Sequence, residues 1–493
     1  MPSKRRPAIV VILFIFLWLL LNIWVPDENI IERKLMSQKN HFIITTSFFY
    51  PNSSSFGKNT SALVILVNID KDIDINNFDI KCIIKKSSGE KTIINADHIL
   101  PIHDGKTSDC RLHNFRIVCK SVGKLGQDDT VMLAIDRFKP LKISWKMADM
   151  TKRTFVVCPG RMFVFDQWHL FLTGMELYRA LNVDLVVIYI QSVDIPIYGL
   201  MEAYKSDGLV IFRPSLRMPE KVPELGYNPN AETTWNNQLI NFHDCLYEFR
   251  ESAEFIAFPD WDELMVTPRL RPVLSIFRDI VKEEPNVASF IYERMAGSMT
   301  KLADMEWHNI FDIWMHHLKF GDSYNHRLPS GKVVVRPKYT DGLQVHSSAS
   351  WTKGFKEHTV SINQTYLIHA RDHDDFKLDK RLEDTNILKR NLKKFITKHN
   401  LTNLMARLPK AEIMLQEFNS CLGSGARQWE KIRETVSQNT KSKCYSFDQC
   451  YIGKVYHECI NVKNNWEMVY ISPQLSVSVL QNSEFVKKNT CDF

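Results

Sequence analysis

The chain has 493 residues, of which 44% are hydrophobic and 24% charged, with a formal net charge of +7. That length holds two or three domains and a large core, and the composition is that of a folded globular protein, not a disordered one. The mildly basic balance comes without any Arg/Lys-rich helix interleaved with aromatics, which argues against nucleic acid as a partner.

Residues 1–7, MPSKRRP, form a basic tail ahead of AIVVILFIFLWLLLNIWV, residues 8–25, which is apolar except for Asn22. As a helix this run spans roughly 27 Å, about the thickness of the hydrocarbon core of a bilayer. A cleaved signal peptide would have a shorter apolar region and a small-x-small cleavage site. The run ends instead in NIWVPDEN, so an uncleaved signal anchor is expected. Lys4, Arg5 and Arg6 precede it, which predicts a cytosolic tail and a lumenal remainder. The ten cysteines form no C-x-x-C pair, and their even number in an oxidising lumen favours disulfides whose pairing the sequence leaves open. Sequons at Asn52, Asn59, Asn363 and Asn400 suit a lumenal glycoprotein.

Residues 26–41 are polar and read as a short stem. From 42 to 150, β-branched runs such as ALVILVNI, FRIVCKSV and TVMLAIDRF alternate with turn-rich segments. This spacing predicts a small antiparallel β-rich module, a sandwich. Near residue 151 the pattern changes. TFVVCPG, DLVVIYIQS and GLVIFRP read as strands, with amphipathic helices between them. Such βαβαβ alternation implies an α/β domain with a parallel or mixed Rossmann-type sheet, assigned here to 151–400. Residues 401–493 are expected to form a helical, Cys-containing extension.

A second stretch of interest is FPDWDELMVTP, residues 258–268, directly after the apolar run EFIAF. A strand buried on both faces reads as a continuous apolar run, and open α/β sheets bind ligands beyond the carboxyl ends of their strands. Asp260 and Asp262 sit at that end. In an extended chain their side chains project to one side, with about 6.6 Å between Cα atoms. Two carboxylates placed so suit a hard divalent cation that also takes phosphate oxygens, while Trp261 would point into the core. An isolated D-x-D is more often an acidic strand end, so the neighbours matter.

Taken together, WNNQLINFHDCLYEF, FIAFPDWDELMVTP, GKVVVRP and YLIHARD resemble glycosyltransferase family 92, a group of GT-A-like enzymes abundant in nematodes. The resemblance covers about 150–375. Two departures stand out: Trp261 replaces an aliphatic residue within the D-x-D, and Ala370 replaces the usual Tyr of the late His motif. The resemblance implies a GT-A-like domain that transfers a hexose, most simply galactose from UDP-galactose, to a glycan or glycoprotein acceptor in the Golgi lumen. It also implies a divalent metal, Mn²⁺ by expectation, held by Asp262, Asp260 and His369.

Asp260, Asp244 and Arg371 are the expected nucleotide-sugar contacts. Gln238 and Asp244 lie six apart on a helix and do not share a face, so one of them is excluded, and Asp244 is preferred. Inverting transfer needs a carboxylate base within reach of the acceptor hydroxyl. Glu293 and Glu263 are the leading candidates, with Asp304 and Asp322 behind them, and Arg336 and His346 fall at family positions. Two other functions remain open: a catalytically silent lumenal scaffold, and a glycoside hydrolase with two carboxylates about 5–9.5 Å apart. The role of the β-rich module is also open between spacer, acceptor docking and homodimer contact.

Overall fold

A computed structural model describes residues 40–101, 110–136, 138–219, 222, 225, 227–233, 237–299, 318–323, 331–370, 377–383, 385–409, 444, 456–472 and 475–492. The expected anchor at 8–25 and nearly all of the stem lie outside them. Among the described residues, no helix is long and apolar enough to cross a membrane.

The β-rich module is built from two sheets with a shared core. In the first, Asn40–Ser53 pairs antiparallel with Thr60–Asp70, which pairs in turn with Leu112–Lys120. In the second, Lys91–Asn95, Ile80–Lys85, Thr130–Ile135 and Leu141–Ile143 lie side by side. Period-2 alternation sends Ile65, Val67 and Ile117 inward from one sheet to meet Cys82, Ile84 and Leu133 from the other. A disulfide between Cys82 and Cys119 joins the two sheets.

The C-terminal segment departs from the expected helical extension. Cys459–Ser472 and Leu475–Lys488 form a long antiparallel hairpin. Its second strand runs parallel to the module's first strand, with Asn40 opposite Leu475 and Ile44 opposite Val479. The physical reason is alternation: Leu475, Val477 and Val479 of LSVSV enter the module core while the serines between them face away. The hairpin's other strand pairs with Ser192–Asp194 of the α/β domain, so the hairpin bridges the module and that domain.

The α/β domain is organised on a seven-stranded mixed sheet. Its spatial order is Val210–Pro214, Leu185–Ile190, Arg153–Val157, Ala253–Ala257, Val333–Val335, Val287–Ile291, Lys356–Thr359. The first four strands are mutually parallel, and Val333–Val335 is antiparallel to both neighbours. In chain order this is 3-2-1-4-6-5-7. The helices Trp168–Ala180 and Ile195–Ser206 supply the crossovers, with Leu170, Phe171, Met175 and Leu200 packed into the core. A second sheet of four strands, Glu263–Val266, Tyr366–Ala370, Arg294–Met299 and Leu318–Ser323, stands beside it.

The helix Gln238–Glu248 is buried along its whole length, between the large sheet and the module. Phe242, Leu246 and Tyr247 share one core with Val156 and Ile256 of the sheet and with Phe48, Val64 and Leu66 of the module. A polar layer reinforces this apolar contact: Asp341 bonds Arg116 of the module at 2.8 Å and Arg250 at 2.7 Å. The module is therefore packed onto the α/β domain, not hung from it.

Candidate active site

In a doubly wound sheet the ligand crevice opens where the strand order reverses, beyond the carboxyl ends of the strands. Here the reversal lies between Arg153–Val157 and Ala253–Ala257, which pair from Arg153–Ala253 through Val157–Ala257. Their exits are Cys158-Pro159-Gly160 and Phe258-Pro259-Asp260. The Cys158–Cys245 disulfide ties the first exit to the helix behind it.

Asp260, Trp261 and Asp262 do not continue an extended strand. The Glu263 amide donates to the Asp260 carbonyl at 3.1 Å, closing a turn before Glu263–Val266 begins. The two aspartates therefore serve different partners, instead of sharing a side as in an extended chain. Trp261 is buried against Phe165 and Phe171, as its apolar ring requires.

Asp260 Oδ1 accepts from Gln238 Nε2 at 2.7 Å, and Oδ2 accepts from Lys332 Nζ at 2.8 Å. Burial pushes this carboxyl up, yet the Lys332 ammonium outweighs that and holds it below the usual carboxylate range. Asp262 stands on the other side, its Oδ2 3.5 Å from His369 Nε2. Its backbone is fixed as well, because the Ala370 amide donates to the Asp262 carbonyl at 2.7 Å. His369 reaches this place because Tyr366–Ala370 pairs antiparallel with Glu263–Val266, setting His369 opposite Glu263.

Glu263, expected as a base, is a buried ion-pair hub. Its Oε1 accepts from Arg294 Nη1 at 3.0 Å, and its Oε2 accepts the Asp260 amide at 3.1 Å. Lys332 Nζ lies 3.6 Å from that second oxygen. Both of its oxygens are thus engaged by buried protein donors rather than turned toward an acceptor. Arg294, not Glu293, is the side chain that reaches this cluster. Glu293 is half-buried on the short link between two strands, where its carbonyl accepts from the Leu367 amide at 2.9 Å.

The preference for Asp244 over Gln238 reverses. Asp244 Oδ2 accepts from the Tyr189 hydroxyl at 2.8 Å and lies 3.5 Å from Lys146 Nζ of the module. It belongs to the interface between module and sheet, while Gln238 at the helix start reaches Asp260. Sequence reasoning saw that the two residues face different ways, but nothing local says which face meets the crevice. Lys332, within GKVVVRP, carries no local signal of a role, and the antiparallel crossing of Val333–Val335 beside Ala253–Ala257 brings it here.

His346 is part of the same neighbourhood. Burial, with Lys332 and Arg294 close by, pulls its imidazole down to about 3, so it is neutral at physiological pH. Its Nδ1 lies 3.2 Å from the Gly331 carbonyl. Arg336 is directed elsewhere, donating to the Pro285 and Val287 carbonyls. Arg371, Asp304 and the side chain of Asp322 lie outside the described residues. Asn52, Asn59, Asn363 and Asn400 are all exposed.

Asp262 and His369 fit as neighbouring ligands of a hard cation. Ligands on adjacent octahedral vertices with bonds near 2.1 Å stand about 3 Å apart, close to the observed 3.5 Å. Asp260, expected as a third ligand, has both oxygens committed to Gln238 and Lys332. Among the described residues, no group of three or more His, Cys, Asp and Glu side chains converges as a cage. Such a site leaves most of the coordination sphere to a ligand's phosphates and water, as hard cations at nucleotide sites prefer.

Comparison with known proteins agrees with the geometry. The model of glycosyltransferase family 92 matches residues 153–408, a span that takes in both sheets of the α/β domain. Two Caenorhabditis elegans proteins, glycosyltransferase family 92 protein F59C6.8 and protein F13G3.3, are 22% and 25% identical over 71% and 68% of this chain. The chain spans 66% of the length of each of these curated relatives. The match extends over the Asp260–Glu263 turn, Lys332 and His369 alike. The chain belongs to glycosyltransferase family 92.

Proposed function

We propose that this chain is a type II membrane hexosyltransferase of the Golgi lumen, moving galactose from UDP-galactose to a hydroxyl of a glycan or glycoprotein with inversion. The observation that carries the reading is the side-by-side placement of Asp262 and His369 next to the Asp260 turn that follows the switch-point strand. The sheet order 3-2-1-4-6-5-7 supports a GT-A-like donor site, because the parallel 3-2-1-4 half is that of a doubly wound nucleotide-binding sheet.

Asp262 and His369 would hold a divalent cation, Mn²⁺ by preference, whose charge offsets that developing on the departing diphosphate. Asp260, its oxygens bonded to Gln238 and Lys332, fixes the donor side of the turn. Trp261 and Phe165 close the crevice floor against water. Glu263 holds the turn that presents both aspartates.

The silent-scaffold alternative drew on Ala370 in place of Tyr. That position fixes Asp262 through its backbone amide, a contact that needs no side chain, so the departure leaves the pair in place. The hydrolase alternative needs a buried acid and a free carboxylate facing one cleft, whereas here Glu263 and Asp260 are both ion-paired. The test is direct. The chain from about residue 40 onward, given a panel of UDP-sugars with acceptor glycans, should release UDP with Mn²⁺ and stop with a chelator. UDP-galactose should be the preferred donor. Release of sugar from a glycan without nucleotide, or no donor bound at all, would overturn the reading.

A further inference from the structure

A lysine of 1% side-chain exposure stands at the centre of the acidic turn, and the chain goes to some length to put it there. Gly331 precedes it, and a Cβ at that position would lie 1.6 Å from the Tyr292 carbonyl oxygen. Only glycine lets this segment cross so close to Tyr292, whose amide in turn donates to the Lys332 carbonyl at 2.9 Å. All three ammonium protons of Lys332 then have an acceptor direction: Asp260 Oδ2 at 2.8 Å, the Val345 carbonyl at 3.0 Å and Glu263 Oε2 at 3.6 Å. An ammonium this deeply buried is tolerated only when paired and hydrogen-bonded.

We propose that Lys332 is a positioning residue that acts as the built-in counter-charge of the donor site. It commits Asp260 to a bonded orientation, so that the cation of the transfer reading falls to Asp262 and His369. Its charge weakens the crevice's attraction for a free divalent ion and strengthens it for a diphosphate. The metal is then held well only when the nucleotide brings its own phosphates. Electrostatics sets the sign: a unit positive charge buried against the Asp260 turn opposes cation binding beside it and favours anion binding.

The inference rests on the glycosyl-transfer reading for its nucleotide half. The experiment measures Mn²⁺ binding and UDP binding separately, by calorimetry, on the wild-type chain, on Lys332→Met and on the double variant Lys332→Met/Asp260→Asn. Lys332→Met keeps much of the side-chain volume but leaves Asp260 and Glu263 with one cation fewer. It should bind Mn²⁺ about tenfold more tightly without nucleotide and UDP without metal about tenfold more weakly. The double variant removes the buried pair together, so no charge is left stranded, and its Mn²⁺ affinity should return toward wild type. A merely structural lysine would move both affinities down together, in step with the melting temperature. Parallel loss of both, or no change in either, overturns the inference and leaves the function standing. A wild-type chain that binds neither Mn²⁺ nor UDP overturns both.

Discussion

One helix, Gln238–Glu248, feeds two buried carboxylate networks that look alike in composition and differ in use. At its start, Gln238 reaches Asp260 in a cluster with Lys332, Glu263 and Arg294. Six residues on, Asp244 joins Tyr189 and Lys146, while Glu248 pairs with Arg213. Both clusters are ion-paired and mostly buried. The second lies at the seam between the β-rich module and the sheet, beside a cavity lined by Lys146, Tyr189, Arg213 and Asp244, and its acids end on protein partners. The first lies at the carboxyl end of the strands where their order reverses, and beside it stands the Asp262–His369 pair. The difference teaches that a perturbed, buried acid is not by itself a catalytic one. Its place relative to the sheet decides.

The largest expected effect breaks the crevice and spares the seam. His369→Ala removes one side of the Asp262 pair, and metal-dependent UDP release should fall by about 10²–10³-fold while the fold is kept. Steady-state release with saturating Mn²⁺ checks it. Activity within a few-fold of wild type would remove His369 from the account.

Glu263→Gln comes next, and it should act on stability. Arg294 and Lys332 would lose a shared partner in the core, which costs about 3–5 kcal/mol for a buried pair broken on one side. Urea unfolding of the α/β domain reads the loss. A variant of normal stability but no turnover would instead restore Glu263 as a base.

Gly160→Ala sharpens the comparison at the crevice wall. A Cβ there would stand 2.6 Å from Asp260 Oδ1 and 3.1 Å from Gln238 Nε2, so the Gln238–Asp260 contact must give way. UDP affinity should weaken about tenfold, equivalent to about 1.4 kcal/mol, with little change in Mn²⁺ affinity, because Asp262 is untouched.

The smallest effect belongs to the seam. Burial pushes the Asp341 carboxyl up, but Arg250 and Arg116 pull it below its ordinary value. A depressed carboxylate contributes stability that is present above its unfolded pKa, about 3.9, and lost as pH falls through its folded value. The wild-type chain should therefore lose part of its stability below about pH 4. Asp341→Asn should be less stable at neutral pH and show a flatter acid limb. Thermal melts between neutral pH and pH 3 test this.

Much of the α/β domain could be read from the sequence because its signals are local. EFIAF is apolar on both faces and runs straight into the acidic turn, and the βαβαβ alternation before it fixes the sheet type. The site beyond Asp260 and Asp262 was harder. Lys332 lies 72 residues from Asp260 and Gln238 lies 22 away, and neither distance has a periodic signature. The ion pairing of Glu263 has no local signal, because adjacency in sequence says nothing of Arg294, which arrives from another strand. The C-terminal hairpin was missed for a similar reason. LSVSVLQNSEFVKK alternates, but its pairing partner begins at Asn40, at the opposite end of the chain.

The most direct measurement sets the two networks side by side: UDP release and melting temperature for Asp262→Asn and Asp244→Asn. The account predicts that Asp262→Asn abolishes metal-dependent release with its melting temperature kept, and that Asp244→Asn lowers the melting temperature while retaining release. The reverse pattern, with Asp244 essential for turnover and Asp262 dispensable, would contradict the placement of the transfer site in the switch-point crevice.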